Sequence, residues 1–162
     1  AGEKLLEQYR VTHGLGTASL RFFNVFGPRQ DPRSAYAAAV PIFIAKALRD
    51  ETISIHGDGG QTRDFIHVTD IIGALAYTGE SKDMSGTYNV GYGQSQSILA
   101  LAQEIIRLTG SKSVIEHLPL RAGDVRHSVA STERLLSAGW KTQSTVSAGL
   151  AETIAAFRRL KA

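Results

Sequence analysis

The sequence carries near its start the stretch Leu20-Arg21-Phe22-Phe23-Asn24-Val25-Phe26-Gly27-Pro28. Apolar and aromatic residues dominate Thr17 to Phe26, so this segment is predicted to form a strand. Gly27-Pro28 is predicted to end the strand, because neither residue continues a regular strand easily. A loop is predicted to follow from Arg29 to Ala35, where charged residues and a second proline gather.

Helices and short strands alternate on both sides of this segment. Before it, Leu5, Leu6 and Tyr9 share one face of an amphipathic helix predicted over residues 3–12. The other predicted strands are Thr52–His56, Gln61–Val68, Thr87–Gly91 and Ser113–His117, and the other predicted helices are Pro41–Arg49, Thr69 or Asp70 to Tyr77, Ser97–Thr109, Thr132–Ala138 and Ser147–Leu160. This alternation predicts an α/β (α+β) fold. A glycine fingerprint for dinucleotide binding is missing, since Gly57-Asp58-Gly59-Gly60 leads into a strand rather than a helix.

The composition is that of an ordinary globular protein. The 162 residues fit a single domain, 1–162, that can bury roughly two thirds of its unfolded surface. No apolar run approaches the ~20 residues of a membrane span, and no Lys/Arg block predicts a nucleic-acid partner. The chain has no cysteine, which excludes disulfides and thiolate metal sites and is compatible with the reducing cytoplasm, the expected location. The formal charge of +3 is better explained by a localised anionic ligand than by a nucleic-acid partner.

Three segments together form a specific combination of motifs. They read Arg-Phe-Phe-Asn-Val-Phe-Gly-Pro-Arg-Gln (21–30), Gly-Asp-Gly-Gly-Gln-Thr-Arg-Asp-Phe-Ile-His-Val (57–68) and Arg-Ala-Gly-Asp-Val-Arg (121–126). In this order and spacing they resemble the NAD-dependent nucleotide-sugar epimerases and dehydratases, which are extended short-chain dehydrogenases. The resemblance spans Ala1 to Trp140, and UDP-glucose 4-epimerases are the members that the chain resembles most.

The resemblance implies that the chain corresponds to the C-terminal, substrate-binding portion of the family's fold. The N-terminal Rossmann half, with its NAD-binding glycine turn and the Tyr-x-x-x-Lys pair that transfers protons, has no counterpart here and would precede Ala1. We therefore expect no catalytic residue in this chain. NAD is implied for the intact family, but this chain alone is not expected to bind it. The implied ligand is a nucleotide sugar, in the first place a UDP-sugar.

Two arginines are the main candidates for ligand binding. A nucleoside diphosphate needs guanidinium groups, because their planar fork of donors matches phosphate oxygens. By resemblance, Arg63 and Arg121 contact the diphosphate from opposite walls, and Asp124 bonds the ribose. The alternative is that Arg63 pairs with Asp64, or Arg121 with Asp124, in a surface ion pair of little energetic value.

Five further positions are assigned by the resemblance. Asn24 is predicted to end a strand directly before a loop, where it would contact the diphosphate or, alternatively, stabilise a turn. Ser54 and His56 match the strand that lines the nucleobase, and His56 departs from the aromatic residue that the family often has there. Phe22 and Phe23 are expected to be core residues by side chain, with a backbone that faces the nicotinamide of NAD in the intact enzymes.

The remaining histidines and acids are expected to have structural roles. His13, His67, His117 and His127 show no metal-ligand spacing, and His67 is predicted to be a packed core residue. The acids Asp58, Asp64 and Asp70 are predicted to serve in a turn, in pairing and in a helix cap. No metal site is expected.

These observations leave three hypotheses for function. The first is a nucleotide-sugar-binding part of an epimerase or dehydratase that is not catalytic alone. The second is a free-standing, non-catalytic binding or oligomeric module, predicted to be a homodimer because the apolar faces of the first helix and of the Phe22–Phe26 strand would otherwise be exposed. The third is one half of a split epimerase whose partner supplies the missing N-terminal half.

Overall fold

A computed structural model of the protein describes residues 2–34 and 38–161, so Ala1 and Ala35, the ends of two segments named above, lie outside it. The helices are α1 (Gly2–His13), α2 (Ala39–Ala47), α3 (Val68–Glu80), α4 (Ile98–Thr109), α5 (Glu133–Ser137) and α6 (Val146–Lys161). The strands are β1 (Ala18–Phe22), β2 (Asn24–Phe26), β3 (Ile53–His56), β4 (Thr62–Arg63), β5 (Phe65–His67), β6 (Gly86–Val90), β7 (Gln96–Ser97) and β8 (Ile115–Leu118). The α/β class is confirmed.

The single strand predicted over Thr17–Phe26 is wrong, because the chain breaks it at Phe23. The Phe23 N–H donates to the Val90 carbonyl at 3.0 Å, and the Val25 N–H donates back to the Phe23 carbonyl at 2.8 Å. This local turn moves the chain from one neighbour to another: β1 runs parallel to β6, whereas β2 runs parallel to β5. The strand predicted over Gln61–Val68 is broken in the same way at Asp64.

Within residues 2–34 and 38–161, the strands form four separate pairs. Besides β1 with β6 and β2 with β5, β3 pairs in parallel with β8, and β4 pairs antiparallel with β7. Parallel pairing requires a crossover of a dozen or more residues, which α2, α3 and α4 help to provide between the strands. The result brings the carboxyl end of β3 next to the carboxyl end of β8.

The buried apolar side chains form two clusters. The larger cluster joins α2, α4 and α6 to β3, and the predicted core positions of α6 are confirmed in it, namely Leu150, Ile154 and Phe157. The smaller cluster joins α3 and α5 to β6 and includes Ile66, Ile71, Tyr88, Val90, Leu135 and Trp140. Because Ile53 and Ile55 of β3 belong to the larger cluster, packing fixes the strand from which Ser54 and His56 project.

The helix caps agree only in part with prediction. Ser97 caps α4 as predicted, because its Oγ accepts a hydrogen bond from the Ala100 N–H at 3.1 Å. The cap predicted for α3 at Thr69 or Asp70 is wrong, since α3 begins at Val68 and follows β5 without a loop. Asp70 lies in the first turn, is 3% exposed, and accepts a hydrogen bond from the Gln143 N–H at 2.7 Å.

The first helix and strand leave apolar surface uncovered. α1 buries none of its residues, and Leu5, Leu6 and Tyr9 are 55%, 39% and 47% exposed. Phe22 at the end of β1 is 47% exposed, so the prediction that it is a core residue is wrong. In the described ranges no helix combines the length and the apolar character that crossing a membrane requires.

Candidate nucleotide-binding site

Several predicted binding residues lie on or contact the segment that follows β8, residues 119–128, called here the 119–128 loop; they are His56, Arg63, Arg121 and Asp124. The loop carries Arg121 and Asp124. The start of the loop contacts the end of β3, where the His56 ring nitrogen Nδ1 lies within hydrogen-bond distance, 3.0 Å, of the Pro119 carbonyl oxygen. The Gly57 N–H donates to the Leu118 carbonyl at 2.8 Å just before the loop begins.

Arg63 holds the middle of the 119–128 loop. Its Nη2 lies 2.5 Å from Asp124 Oδ1, and its Nη1 donates to the carbonyls of Val125 at 2.5 Å and Thr62 at 2.9 Å. The side chains of Arg63 and Asp124 are only 17% and 25% exposed. The alternative pairings, Arg63 with Asp64 and Arg121 with Asp124, are both wrong. Successive side chains of an extended segment point to opposite sides, so Arg63 and its neighbour Asp64 cannot readily pair.

The next part of the loop is attached to the backbone of β4. Thr62 donates its N–H to the Arg126 carbonyl at 2.8 Å and accepts from the Ser128 N–H at 3.2 Å. Its hydroxyl lies 3.2 Å from the His127 ring nitrogen Nδ1. Arg126 also binds Asp58 with two hydrogen bonds of 2.7 and 2.9 Å, and this guanidinium is the main cause that lowers the pKa of the Asp58 carboxyl. The turn role predicted for Asp58 therefore includes an ion pair to the loop.

Arg121 differs from Arg63 in having no partner within the part of the chain that the structure describes. It is exposed at the tip of the loop, and only its backbone is used, where its carbonyl accepts from the Asp124 N–H at 3.3 Å. The five N–H donors of its guanidinium are therefore open to solvent or to a ligand.

Ser54 and His56 lie on one face of β3, as alternate strand residues do. The Lys46 ammonium reaches Ser54 from α2, with its Nζ 3.4 Å from the Ser54 Oγ. Lys46 was not predicted as a site residue. Nothing in its local sequence marks it, because only the packing of α2 beside β3 brings its side chain to this face.

Asn24 lies next to the site, but not as predicted. It begins β2 rather than ending a strand, and it is exposed. Its N–H donates to the Asp64 carbonyl at 3.0 Å, which places it beside Arg63, whereas its side chain makes no hydrogen bond with the described residues. Phe23 is half-buried at the turn before it.

Asp64 and His67 are buried. Asp64 has no exposed surface and accepts hydrogen bonds from the N–H groups of Tyr92, Gly93 and Ala130. His67 is 2% exposed and its ring lies 5.3 Å from that of Phe26, so its predicted core role is confirmed. In residues 2–34 and 38–161, no three His, Asp or Glu side chains gather closely enough to hold a metal ion.

The site is an open surface rather than a deep pocket. One cavity of about 690 Å³ lies between Pro28–Arg33 and α2, and another of about 480 Å³ lies between α4 and α6. Neither cavity is lined by a predicted binding residue. The 119–128 loop and the face of β3 therefore present their polar groups outward, where a second surface or a ligand could cover them.

Comparison with known proteins supports the expected family. The family described as NAD dependent epimerase/dehydratase matches residues 1–91, more than half of the chain. The UDP-glucose 4-epimerase of Mycolicibacterium smegmatis is 35% identical over 159 residues, which are 98% of this chain and 50% of that protein.

Solved structures of epimerases have the same fold. The Thermotoga maritima UDP-glucose 4-epimerase, determined with UDP-glucose, matches with a TM-score of 0.92 at 33% identity, over 99% of this chain and 52% of that one. The Methanobrevibacter ruminantium UDP-N-acetylglucosamine 4-epimerase, in complex with UDP-N-acetylmuramic acid, matches with a TM-score of 0.91 at 39% identity, over 98% and 51%. The Thermus thermophilus UDP-glucose 4-epimerase, in complex with NAD, matches with a TM-score of 0.86 at 32% identity, over 96% and 51%.

The chain spans about half the length of these relatives. The likeness extends along nearly the whole of this chain and includes all three motif segments. The chain therefore belongs to the NAD-dependent epimerase/dehydratase family and is similar to its UDP-glucose 4-epimerases.

Proposed function

We propose that this chain is the nucleotide-sugar-binding part of an NAD-dependent sugar epimerase or dehydratase, with a UDP-sugar as its ligand. The observation that supports this most is the arrangement of Arg63, Asp124 and Arg121 on β4 and the 119–128 loop. It combines the Arg63 guanidinium, which protein contacts hold in place, with that of Arg121, which has no partner in residues 2–34 and 38–161. The relatives determined with UDP-glucose and UDP-N-acetylmuramic acid have the same fold.

The hydrogen-bonding capacity of the two arginines fits a diphosphate. A guanidinium has five N–H donors, and Arg63 uses three of them on the Thr62 carbonyl, the Val125 carbonyl and Asp124. With respect to the described residues, two donors remain on Arg63, and all five remain on Arg121. Two arginines that still have free donors can bind phosphate oxygens from two sides, whereas one exposed lysine could supply only a point charge.

The other proposed contacts surround this pair. Ser54 and His56 line the nucleobase from β3, the Asp124 carboxylate accepts from the ribose hydroxyls, and the Asn24 amide reaches the diphosphate from the start of β2. We propose that the chain carries no catalytic residue. NAD supplies hydride chemistry in the intact family, and this chain contributes to its site only the backbone at Phe22 and Phe23. The lack of cysteine is compatible with the proposed location of the protein, the reducing cytoplasm.

Calorimetric titration tests the proposal directly. The protein is titrated with UDP, UDP-glucose and NAD in separate experiments, and we expect micromolar binding of the two uridine nucleotides and none of NAD. Arg63→Ala should weaken UDP binding about ten-fold or more, because a charge-assisted hydrogen bond contributes roughly 1.5–3 kcal/mol. Arg107→Ala is the matched control, since Arg107 is an exposed arginine paired with Glu104 on α4, away from the site. No UDP binding, or equal binding by the Arg63→Ala and Arg107→Ala proteins, would contradict the proposal.

A second proposal concerns partners. In the described residues β1 pairs only with β6, which leaves its other edge free, and α1 exposes Leu5, Leu6 and Tyr9 beside it. Exposed strand edges and apolar helix faces favour association. We propose that this surface is covered either by a second copy of the chain, giving a homodimer that serves as a free-standing binding module, or by the separate N-terminal half of a split epimerase.

Sedimentation distinguishes these possibilities. A homodimer predicts a concentration-dependent mass of twice the chain, and Leu6→Glu should shift it to monomer because a charge would enter the apolar face. Val114→Glu is the control, since Val114 is 64% exposed and lies next to β8, outside α1 and β1. A monomer at all concentrations would reject the homodimer and direct attention to the split-enzyme alternative.

A further inference from the structure

Asp64 is fully buried and accepts more hydrogen bonds than the pairing role predicted from the sequence requires. The residue lies between β4 and β5 with no exposed surface. Its Oδ1 accepts from the Tyr92 N–H at 2.7 Å, and its Oδ2 accepts from the N–H groups of Gly93 and Ala130 at 3.0 Å each. A buried carboxylate is costly unless it is fully hydrogen-bonded, and three backbone donors provide this.

These bonds connect parts of the chain that are far apart in sequence. Tyr92 and Gly93 form the turn after β6, and Ala130 lies two residues after Ser128, the last residue of the 119–128 loop. The Asp64 carbonyl also accepts from the Asn24 N–H at 3.0 Å. A single residue thus joins the start of β2, the turn after β6 and the end of the loop.

The approach of the β6 turn to this carboxylate is very close. A Cβ added at Gly91 would lie 2.7 Å from Asp64 Oδ2 and 2.5 Å from the Ala130 Cβ. Only a glycine allows the three segments to meet at this distance. The packed atoms therefore leave no space into which the end of the loop could move.

We infer that Asp64 is a positioning residue of the nucleotide site, which anchors the end of the 119–128 loop so that Arg121 and Asp124 face the ligand together with Arg63. Arg63 and Asp64 are neighbours on one extended segment and project to opposite sides. Arg63 holds the middle of the loop from the ligand side, and Asp64 holds its end from the interior. The identity of the ligand in this inference rests on the proposed function.

The test compares two buried aspartates. Asp64→Asn keeps the shape of the side chain, but an amide has one acceptor oxygen and cannot satisfy three N–H donors. Asp70→Asn is the matched control, because Asp70 is also buried and accepts one backbone N–H, from Gln143, but it does not touch the loop. Hydrogen exchange of the backbone amides and calorimetric titration with UDP are measured on the unaltered protein and on both variants.

We expect Asp64→Asn to accelerate amide exchange in residues 119–130 and to weaken UDP binding about ten-fold to a hundred-fold, since the loop must then be ordered by the ligand. Asp70→Asn should change neither quantity, because its amide oxygen can still accept the single N–H from Gln143. If Asp64→Asn lowers thermal stability but leaves both loop exchange and UDP affinity unchanged, Asp64 is a purely structural residue and the inference is overturned.

Two further outcomes stay informative. If the unaltered protein does not bind UDP, the proposed function fails, while the exchange of residues 119–130 still decides whether Asp64 anchors the loop. If Asp64→Asn does not fold, Gly91→Ala replaces it, because the added methyl crowds the same carboxylate without removing it. The inference then requires faster loop exchange in Gly91→Ala, and unchanged exchange overturns it.

Discussion

Gly149 lies in the first turns of α6, where replacing glycine by alanine normally stabilises a helix, by up to about 1 kcal/mol. Here the added Cβ would lie 2.9 Å from the Cδ2 and Cγ of His67 and 3.0 Å from its Cβ. Because His67 is 2% exposed and its ring also contacts Phe26, it cannot move away freely. Overpacking of this kind costs about 1–3 kcal/mol, which exceeds the gain in helix propensity. We expect Gly149→Ala to lower the free energy of unfolding by about 1–2 kcal/mol.

The matched control is Gly73→Ala in α3. The nearest atom that a Cβ would meet at Gly73 is Trp140 Nε1 at 3.8 Å, an ordinary contact. This substitution should therefore raise the free energy of unfolding by about 0.5–1 kcal/mol. Urea unfolding of the three proteins, followed by circular dichroism at one pH, measures both changes. If Gly149→Ala proves as stabilising as Gly73→Ala, the tight packing of α6 on His67 is refuted.

Three other predictions concern single contacts. Ser97→Ala should lower the free energy of unfolding by ~1 kcal/mol in urea, because α4 loses its cap, while Ser97→Asp should retain most of the stability. Asp50→Ala should lower Tm in thermal unfolding, since Asp50 has φ 54° and accepts hydrogen bonds from Ser111 Oγ and the Lys112 N–H. Asp50→Asn tolerates this conformation and keeps an acceptor, so it should lower Tm less. Hydrogen bonds from Arg107 and then Ser147 lower the pKa of Glu104 from 4.5 to about 2, so its stabilisation is complete above pH 4.5 and is lost as the pH falls toward 2. Glu104→Gln should therefore lower Tm near pH 7. If the difference in Tm between Glu104→Gln and the unaltered protein stays constant down to about pH 2.5, the lowered pKa of Glu104 is contradicted.

The helices were the part of the fold best predicted from the sequence. α4 and α6 have strongly periodic apolar positions, and the serine before α4 marks its start, so both their existence and their buried faces follow from local pattern. The strand breaks at Phe23 and Asp64 could not be predicted from the local sequence pattern. An apolar run predicts extended backbone, but it does not say that two halves of the run pair with different strands.

The contacts within the candidate site could also be predicted only in part from the local sequence. Local spacing offered Asp64 as the alternative partner of Arg63, whereas the structure pairs Arg63 with Asp124, which tertiary contact brings from another part of the chain. The alternation of side chains along a strand could have excluded the local pair, because neighbours face opposite ways. The role of Asp64 had no comparable signal, since its partners are backbone N–H groups of distant turns.

The strand pairs also determine the order in which the chain can fold. Ala18 pairs with Gly86 and Ile53 with Ile115, and among the described residues none of the four pairs is a hairpin. On a ribosome that adds about 5–20 residues per second, β1 therefore emerges several seconds before β6 exists. During that interval an apolar segment is exposed without a partner, and such segments aggregate. The yield of folded protein in a recombinant host should thus depend on growth temperature and chaperone supply more than on the equilibrium stability of the finished fold.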